Sequence, residues 1–419
     1  MSGALNGITV LDLSQGAAGP TCGMYLADLG ADVLKVEPPG GEWGRRLGPP
    51  FVGGVAAAYL GMNRNKRSIV VDLKHEEGSE VVLRLAEQCD VALESFRPGV
   101  ADRLGIGYDA MHARNPRLIY AAISAFGQSG PWRDRPGVDG VAQAMGGIMS
   151  VTGTDGGPPV KVGVPAADMA GGVFASQAIL AALFARERTG TGQRVDVSLL
   201  DALLSFQVVP LSMYLASGVS PKRLGSAAPY AAPNEAFPTK DGHVMVAAYT
   251  EKRWPALCKV LGHPELATDP RFDTNDKRVR GRSELQEVLG PLFAERTTAE
   301  WIELLDDADV LCGPILDYQH LTNEEHVRLS ESITTVEHPA TGAVRSPRLP
   351  ARFSDTTGDF RISAPPIAGE HSLVVLRDYG FTETEISILI DEGVVAASEV
   401  AGTDTESDNH QAVGGSSVR

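Results

Sequence analysis

Short apolar runs alternate with amphipathic stretches through the first half of the chain. Gly19-Pro20 opens the first predicted helix and Gly30 ends it, and residues 76–87 form a second, amphipathic helix. The apolar runs have the length and composition of buried strands, and they lie at residues 8–13, 31–37, 68–73, 91–94, 118–124 and 193–197. Strands that alternate with helices predict an α/β fold, with a parallel sheet covered by helices on both faces.

The pattern changes after about residue 225. Alternating strands at 234–238 and 243–248 flank a turn at 239–242, and charged helical segments at 254–261 and 299–305 follow. The last predicted helix covers 383–392, and the tail beyond it holds few large apolar side chains, which is typical of disorder. We therefore predict the N-terminal part of a large domain at 1–205, a smaller α+β domain at 225–330, a return segment at 331–398 that completes the large domain, and a disordered tail at 399–419.

Composition is typical of a soluble globular protein and leaves an anionic small ligand possible where basic residues are gathered locally. The chain has 419 residues, of which 43% are hydrophobic, and 37 Lys and Arg stand against 53 Asp and Glu, a net charge of -16. So acidic a surface repels nucleic acid and anionic lipid, so neither is expected as a partner. No stretch reads as a membrane span and no signal-peptide pattern opens the chain, which predicts a cytoplasmic location. The four cysteines, Cys22, Cys89, Cys258 and Cys312, lie far apart, and no metal site or disulfide framework is expected.

Two features suit an anionic ligand. Gly16 and Gly19 lie in the turn after the first strand, and either a tight structural turn or a ligand-binding turn fits them. The Gly-x-Gly-x-x-Gly fingerprint is absent, which argues against a nicotinamide cofactor although Glu37 ends the second strand. Basic residues are concentrated near strand ends and suit a phosphate-bearing ligand, with a solvated mixed-charge surface as the alternative: Arg64, Lys66, Arg67, Lys74, Arg97 and Arg103.

Asp168 is the strongest single candidate for chemistry. It precedes a long apolar segment, residues 173–185, which predicts a buried helix with Asp168 as its N-cap. Gly171 and Gly172 lower helix propensity in the first turn and would let a ligand or another backbone approach closely. A plain capping role and a catalytic role both remain open. Residues 198–201 (SLLD) predict a capping box, and neither Gly-x-Ser-x-Gly nor His-Glu-x-x-His occurs.

A set of ordered motifs then points to a family. They include NKRSI at 65–69, ESFRPG at 94–99, RLG at 103–105, GQSGP at 127–131 and DMAGG at 168–172. Together they resemble the class III CoA-transferases, the family of formyl-CoA transferase, carnitine CoA-transferase and α-methylacyl-CoA racemase. The resemblance spans about residues 5–395.

The resemblance implies a Rossmann-like large domain and an interlocked homodimer in which two chains thread through one another. It also implies transfer of CoA between an acyl-CoA and a free carboxylic acid, through an aspartyl anhydride and an aspartyl-CoA thioester on Asp168. CoA thioesters are then substrates, with no permanently bound cofactor. The resemblance and the turn place CoA along Gly16, Ala17, Val71, Lys74, Ser95, Phe96, Arg97 and Arg103, with Leu199 near the pantetheine. Gln15 is expected beside the acyl group, and Asp139 is expected to orient either Asp168 or the acyl group. Backbone N–H groups next to Gly171 and Gly172, or in the turn at 15–18, are candidate oxyanion donors.

One residue type separates the subgroups. The racemases of the family use a His followed by an Asp to move a proton, and Val138 occupies that His position before Asp139. Valine cannot move a proton, so we expect a transferase, with a racemase-like isomerase or a non-catalytic CoA-binding protein as alternatives. Formyl-CoA transferase has a glutamine where this chain has Ala17, an arginine near Pro38, and a glycine-rich loop in place of residues 227–233. An oxalate-specific enzyme is therefore not expected, and dicarboxylates, carnitine-like acids and aromatic acids stay open.

Overall fold

The computed structural model describes residues 3–356, 358, 362 and 364–398, so the predicted disordered tail at 399–419 lies outside the described residues. In chain order the strands are β1 Thr9–Asp12, β2 Asp32–Glu37, β3 Phe51–Val52, β4 Val55–Ala56, β5 Lys66–Val71, β6 Val91–Glu94, β7 Ile119–Ser124, β8 Arg194–Ser198, β9 Asn234–Pro238, β10 His243–Ala247, β11 Leu311–Pro314, β12 Ile333–His338, β13 Gly342–Pro347 and β14 Val395–Ala396.

The helices of the N-terminal half are α1 Ala18–Asp28, α2 Ala57–Met62, α3 Glu76–Glu87, α4 Val100–Arg103, α5 Tyr108–Arg114, α6 Asp139–Met145, α7 Ile148–Val151, α8 Ala166–Thr189, α9 Leu199–Phe206 and α10 Val208–Ser217. Those of the C-terminal half are α11 Arg253–Val260, α12 Asn275–Arg280, α13 Arg282–Phe293, α14 Thr298–Asp307, α15 Tyr318–Leu321, α16 Glu325–Leu329, α17 Ser372–Asp378 and α18 Glu383–Asp391. Short 3-10 helices cover Trp43–Arg46 and Pro264–Ala267.

A seven-stranded sheet with the order β14-β5-β2-β1-β6-β7-β8 forms the centre of the molecule. Every neighbouring pair is parallel except β14 with β5, which is antiparallel. The predicted α/β architecture with a mainly parallel sheet is thereby confirmed. From β1 the chain builds outward through β2 and β5, then returns to place β6 on the other side of β1. This reversal opens a crevice at the carboxyl ends of β1 and β6, where ligands bind in folds of this kind.

Successive side chains of each strand point to opposite faces of the sheet and pack into two separate hydrophobic cores. Leu11 and Leu34 point to the face covered by α3, α17 and α18, whereas Val10 and Val33 point to the face covered by α1, α8 and α9. Because successive side chains point to opposite faces and helices cover both faces, the strands are continuous apolar runs in the sequence. The predicted amphipathic helix at 76–87 is confirmed as α3.

Helix α8 departs from expectation in three respects. It begins at Ala166, so Asp168 is its third residue and not its N-cap, which is Pro165. It is not buried along its whole length, because Val173 and Phe184 are 45% and 66% exposed. By length and composition it could also span a membrane, contrary to the sequence expectation, but half of its most apolar window is buried inside the protein. A core helix of a soluble protein has the same properties.

Gly171 and Gly172 allow α8 to pack closely on its neighbours. A Cβ on Gly171 would lie 2.5 Å from Cδ2 of Leu199, and one on Gly172 would lie 2.9 Å from the carbonyl oxygen of Ala18. Both glycines lie in the second turn, where helical N–H groups bond to the preceding turn. The expectation that their N–H groups stabilise an oxyanion is therefore wrong, and their observed role is helix packing.

The C-terminal half contains a second, smaller core. Strands β9, β10 and β11 form an antiparallel sheet, as predicted for the first two, and α11, α13 and α14 pack around Trp254, Phe293 and Trp301. Beyond the hairpin of β12 and β13, the chain returns so that α17, α18 and β14 pack on the large sheet. The domain boundaries proposed from the sequence stay a prediction.

Candidate active site

A cavity of about 1080 Å³ lies at the carboxyl ends of β1, β6 and β7, beside the first turn of α8. Its walls bring together most of the residues singled out from the sequence: Gln15, Gly16, Ala17, Ser95, Phe96, Arg97, Asp139, Asp168 and Leu199. Three others do not line it. The side chain of Val71 is fully buried in the core, and contact of this residue with CoA stays a prediction. Lys74 and Arg103 are exposed outside the cavity, and their contact with CoA stays a prediction.

The basic residues near β5 hold the fold together and do not line the cavity. Arg64 and Lys66 are buried, so the expectation that they bind a phosphate is wrong. Each is compensated by an acidic partner, as a buried charge requires. The pairs are Arg64–Asp28, Lys66–Asp12 and Arg67–Asp32, with closest nitrogen–oxygen distances of 2.6, 2.8 and 2.5 Å.

Glu37 at the end of β2 also has buried partners within the protein. Its Oε2 accepts a hydrogen bond from Nε of Arg45 at 2.6 Å, and its Oε1 accepts one from the Ser68 hydroxyl at 2.6 Å. Burial raises the pKa of Glu37, but the bonds and charge of Arg45 outweigh it and hold the pKa below the usual value. A carboxylate so enclosed is not available to a ribose, in agreement with the missing dinucleotide fingerprint.

The turn after β1 is both tight and exposed to the cavity. The N–H of Gln15 donates to Oγ of Ser95 at 2.9 Å, and the N–H of Gly16 donates to Oε2 of Glu42 at 3.0 Å. Gly16 has a φ of +84°, and a Cβ there would lie 2.7 Å from the indole of Trp43, so only glycine fits. Because the N–H groups of Gln15 and Gly16 are already engaged, they are not free oxyanion donors.

The next two N–H groups in this turn remain available. Ala17 precedes α1 and Ala18 is its first residue, a position where N–H groups have no acceptor within the helix. In the part of the chain that the structure describes, neither N–H donates a hydrogen bond. Both residues line the cavity, so this helix start is the place where an oxyanion could be bound.

A buried ion pair of Lys35 and Glu42 holds the turn after β1 in place. Lys35 and Glu42 are fully buried and pair at 3.3 Å. The ammonium of Lys35 also donates to the carbonyl oxygen of Ser14 at 3.0 Å, and Glu42 binds the N–H of Gly16. The two charges together therefore set the path of the backbone on both sides of Gln15.

Asp139 caps helix α8 in place of Asp168. Its Oδ1 accepts hydrogen bonds from the N–H groups of Ala167 at 2.9 Å and Asp168 at 3.4 Å. Its Oδ2 accepts one from the side-chain amide of Gln143 at 2.8 Å, one turn further along α6. This arrangement leaves the Asp168 carboxylate without a hydrogen bond from any described residue.

The surroundings of Asp168 favour a reactive carboxylate. Burial, and after it the charge of Asp139, raise the pKa of Asp168 from 3.8 to about 7. A carboxylate that is poorly solvated and more basic than usual is a better nucleophile near neutral pH.

Glu94 positions one wall of the cavity. It ends β6, and its Oε2 accepts the N–H of Phe96 at 2.6 Å. Burial raises the pKa of Glu94 to about 8, against the lowering effect of that hydrogen bond. This side chain shapes the backbone that carries Ser95, Phe96 and Arg97 into the cavity.

The lining residues that were not singled out in the sequence include Lys161 and Trp43. Lys161 is a lone charge in the otherwise uncharged run at 156–167, a signal that could have been noticed. Trp43 is 51% exposed and reaches the cavity through its packing on Gly16, which no local pattern predicts. No metal-binding group of His, Cys, Asp and Glu occurs within the described ranges.

The crevice of a parallel α/β sheet, with a partly buried carboxylate at a helix start, defines an enzyme site suited to acyl-group chemistry. The chain belongs to CoA-transferase family III, whose family model matches residues 5–372. The chain is similar to an acyl-CoA transferase of Fusarium pseudograminearum (strain CS3096), with 38% identity over 409 residues, 94% of this chain and 88% of the relative.

It is also similar to the succinyl-CoA:glutarate CoA-transferase of Mus musculus, with 37% identity over 400 residues, 94% of this chain and 91% of the relative. Among solved structures, a CAIB/BAIF family protein from Brucella suis superposes with a TM-score of 0.81 and 37% identity over 90% of this chain and 100% of that one. The protein is thus an enzyme of the CoA-transferase class.

Proposed function

We propose that this enzyme transfers CoA from an acyl-CoA to a free carboxylic acid, with Asp168 as the nucleophile. The observation that carries the proposal is the Asp168 carboxylate, which faces the cavity, accepts no hydrogen bond from a described residue and has a pKa raised to about 7. Ser95, Phe96 and Arg97, expected to bind CoA, line the same cavity.

The transfer takes four steps, in which a carboxylate oxygen and the CoA thiolate alternately attack an acyl carbon. An oxygen of Asp168 attacks the thioester carbonyl of the donor, the C–S bond breaks, and CoA leaves as a thiolate with a mixed anhydride left behind. The thiolate then attacks Cγ of Asp168, and the donor acid leaves as a carboxylate. The acceptor carboxylate attacks Cγ of this aspartyl-CoA thioester to form a second anhydride and free thiolate. Attack of the thiolate on the acceptor carbonyl releases the new acyl-CoA and regenerates Asp168.

The first and fourth steps place negative charge on the acyl carbonyl oxygen, and the second and third place it on the remaining oxygen of Asp168. The N–H groups of Ala17 and Ala18 are suited to bind such an oxyanion. Asp139 is a positioning residue, because it binds the N–H of Asp168 and raises the pKa of its carboxyl group. Apolar walls of the cavity, such as Leu199, would limit access of water to the anhydride.

The CoA moiety would approach along the carboxyl end of β6. Arg97 supplies a positive charge for a phosphate, and the backbone at Gly16 and Ala17 can lie against the pantetheine near Leu199. Lys74 and Arg103 are exposed and could extend this path to the nucleotide end of CoA. The CoA thioester acts as a substrate throughout.

An interlocked homodimer with Rossmann-like large domains accompanies this proposal, together with a cytoplasmic location. In its support, helix α10 has no buried residue although it is largely apolar; Leu215 in α10 is 72% exposed, and Phe206 at the end of α9 is 67% exposed. So large an apolar surface favours cover by a second copy of the chain. Light scattering on the purified protein would test the dimer, and a monomer at micromolar concentration would contradict it.

A CoA-exchange experiment tests the transferase. The protein is mixed with an acyl-CoA and a panel of free acids, and mass spectrometry follows new acyl-CoA species and a CoA adduct on Asp168. Wild type should form both, whereas Asp168→Ala and Asp168→Asn should form neither. Normal exchange by either variant would refute the role of Asp168. Uptake of deuterium at the α-carbon without any acceptor would instead indicate the racemase-like alternative, against which the valine at position 138 argues.

A further inference from the structure

Two cationic side chains line the active-site cavity, and they belong to different walls. Arg97 follows β6 beside Ser95 and Phe96, where CoA is proposed to bind. Lys161 lies along the start of α6, because a Cβ on Gly140 would be 3.4 Å from its Cδ and 3.8 Å from its Nζ. Its wall is therefore the one that carries Asp139 and adjoins Asp168.

Lys161 is exposed, and its ammonium is accessible to a ligand in the cavity. Its ammonium has no ion pair or hydrogen bond in the described part of the chain. The nearby carboxylate of Asp139 is occupied by the N–H groups of Ala167 and Asp168 and by the amide of Gln143. Nor does Lys161 neutralise Asp168, whose pKa is raised by burial and by Asp139, in the direction opposite to the effect of a close ammonium.

We propose that Lys161 binds the second carboxylate of a dicarboxylate substrate, so that the enzyme exchanges CoA between short dicarboxylic acids. The inference rests on the proposed transferase function and adds the substrate class. When one carboxyl group of such an acid reacts at Asp168, the other must lie elsewhere in a cavity whose walls include Ala58, Met62 and Val138. An unpaired carboxylate there would lose solvation, and an ammonium offsets that loss.

The donor and the acceptor should show the same preference. In the proposed sequence of steps the donor acid leaves the position next to Asp168 before the acceptor acid enters it. Both acids therefore meet the same Lys161. This makes a dicarboxylate monothioester the expected donor as well, in the way that the mouse relative is named for succinyl-CoA and glutarate.

The test compares acids that differ only in the second carboxyl group, such as glutarate with valerate and succinate with butyrate. For each pair we measure kcat/KM in wild type, Lys161→Met, Lys161→Arg and the control Lys240→Met, in which an exposed lysine of the β9–β10 turn is changed. Wild type should prefer the dicarboxylate. Lys161→Met should reduce that preference about 5-fold or more, because an exposed ion pair contributes up to about 1 kcal/mol and one that the substrate shields from water contributes more. Lys161→Arg should restore much of it, and the control should leave it unchanged.

The outcomes separate the two proposals. If wild type exchanges acids but the preference is the same in Lys161→Met, the role of Lys161 is refuted and the transferase stands. If Lys161→Met weakens all acyl-CoA donors equally, Lys161 binds CoA and the dicarboxylate inference is likewise refuted. If wild type activates no acid and forms no adduct on Asp168, the transferase proposal fails, and the inference fails with it. A charge reversal adds a positive test, since Lys161→Glu should shift preference toward ω-amino acids.

Discussion

Replacement of Asp168 by asparagine should stabilise the protein while it abolishes exchange. Burial and the charge of Asp139 raise the pKa of Asp168 from 3.8 to about 7. A difference of one unit between the folded and unfolded pKa values corresponds to about 1.4 kcal/mol. Full ionisation of Asp168 therefore costs the folded state about 4 kcal/mol relative to the unfolded state. Water that enters the cavity reduces this cost, and we expect Asp168→Asn to be more stable by about 1–3 kcal/mol above neutral pH.

The stability advantage of Asp168→Asn over the wild type should increase as the pH rises. Below about pH 4 the carboxyl group is protonated in both states and costs nothing. Between about pH 4 and pH 7 the unfolded chain releases the proton and the folded protein keeps it, so the wild type loses stability as the pH rises. Above about pH 7 the loss is constant. Asparagine has no such proton, so the advantage of the variant should grow through this window.

Urea unfolding of both proteins at one protein concentration measures the effect, near pH 5.5 and near pH 8.5. Asp155→Asn is a matched control, because it removes one negative charge from an exposed loop. The free-energy advantage of Asp168→Asn should be larger at the higher pH, and the control should show no comparable trend. A wild type more stable than Asp168→Asn near pH 8.5, or an advantage independent of pH, would refute the reasoning.

Two further predictions concern the groups that support the site. Asp139→Asn should move the acid limb of the kcat/KM profile to lower pH, because it removes the charge that helps raise the pKa of Asp168 while its amide oxygen can still cap α8; an unchanged limb would mean that burial alone sets the pKa. Lys35→Met should cost about 3–5 kcal/mol of unfolding free energy, since it leaves the buried Glu42 carboxylate unpaired. A loss below about 1 kcal/mol in urea titrations would contradict the role assigned to that pair.

Local patterns in the sequence predicted the elements but not the long-range partners. The alternation of strands and helices depends on periods of a few residues, and α3 was predicted with its observed bounds. The pairing of Lys66 with Asp12 joins residues 54 positions apart, and no local pattern distinguishes such a lysine from one on the surface. The candidate phosphate ligands Arg64 and Lys66 failed for this reason.

Asp168 lines the cavity, but the prediction that it caps α8 was wrong, and the difference has a chemical consequence. A helix N-terminus needs an acceptor, and an aspartate in that position would use its oxygens on backbone N–H groups. Hydrogen bonds of that kind stabilise the carboxylate and lower its pKa, which makes it a poorer nucleophile. Here Asp139, 28 residues before Ala167, supplies the acceptor from α6. Because the cap comes from another helix, Asp168 stays at the helix start with its carboxylate unbonded, and the negative charge that caps the helix also raises its pKa.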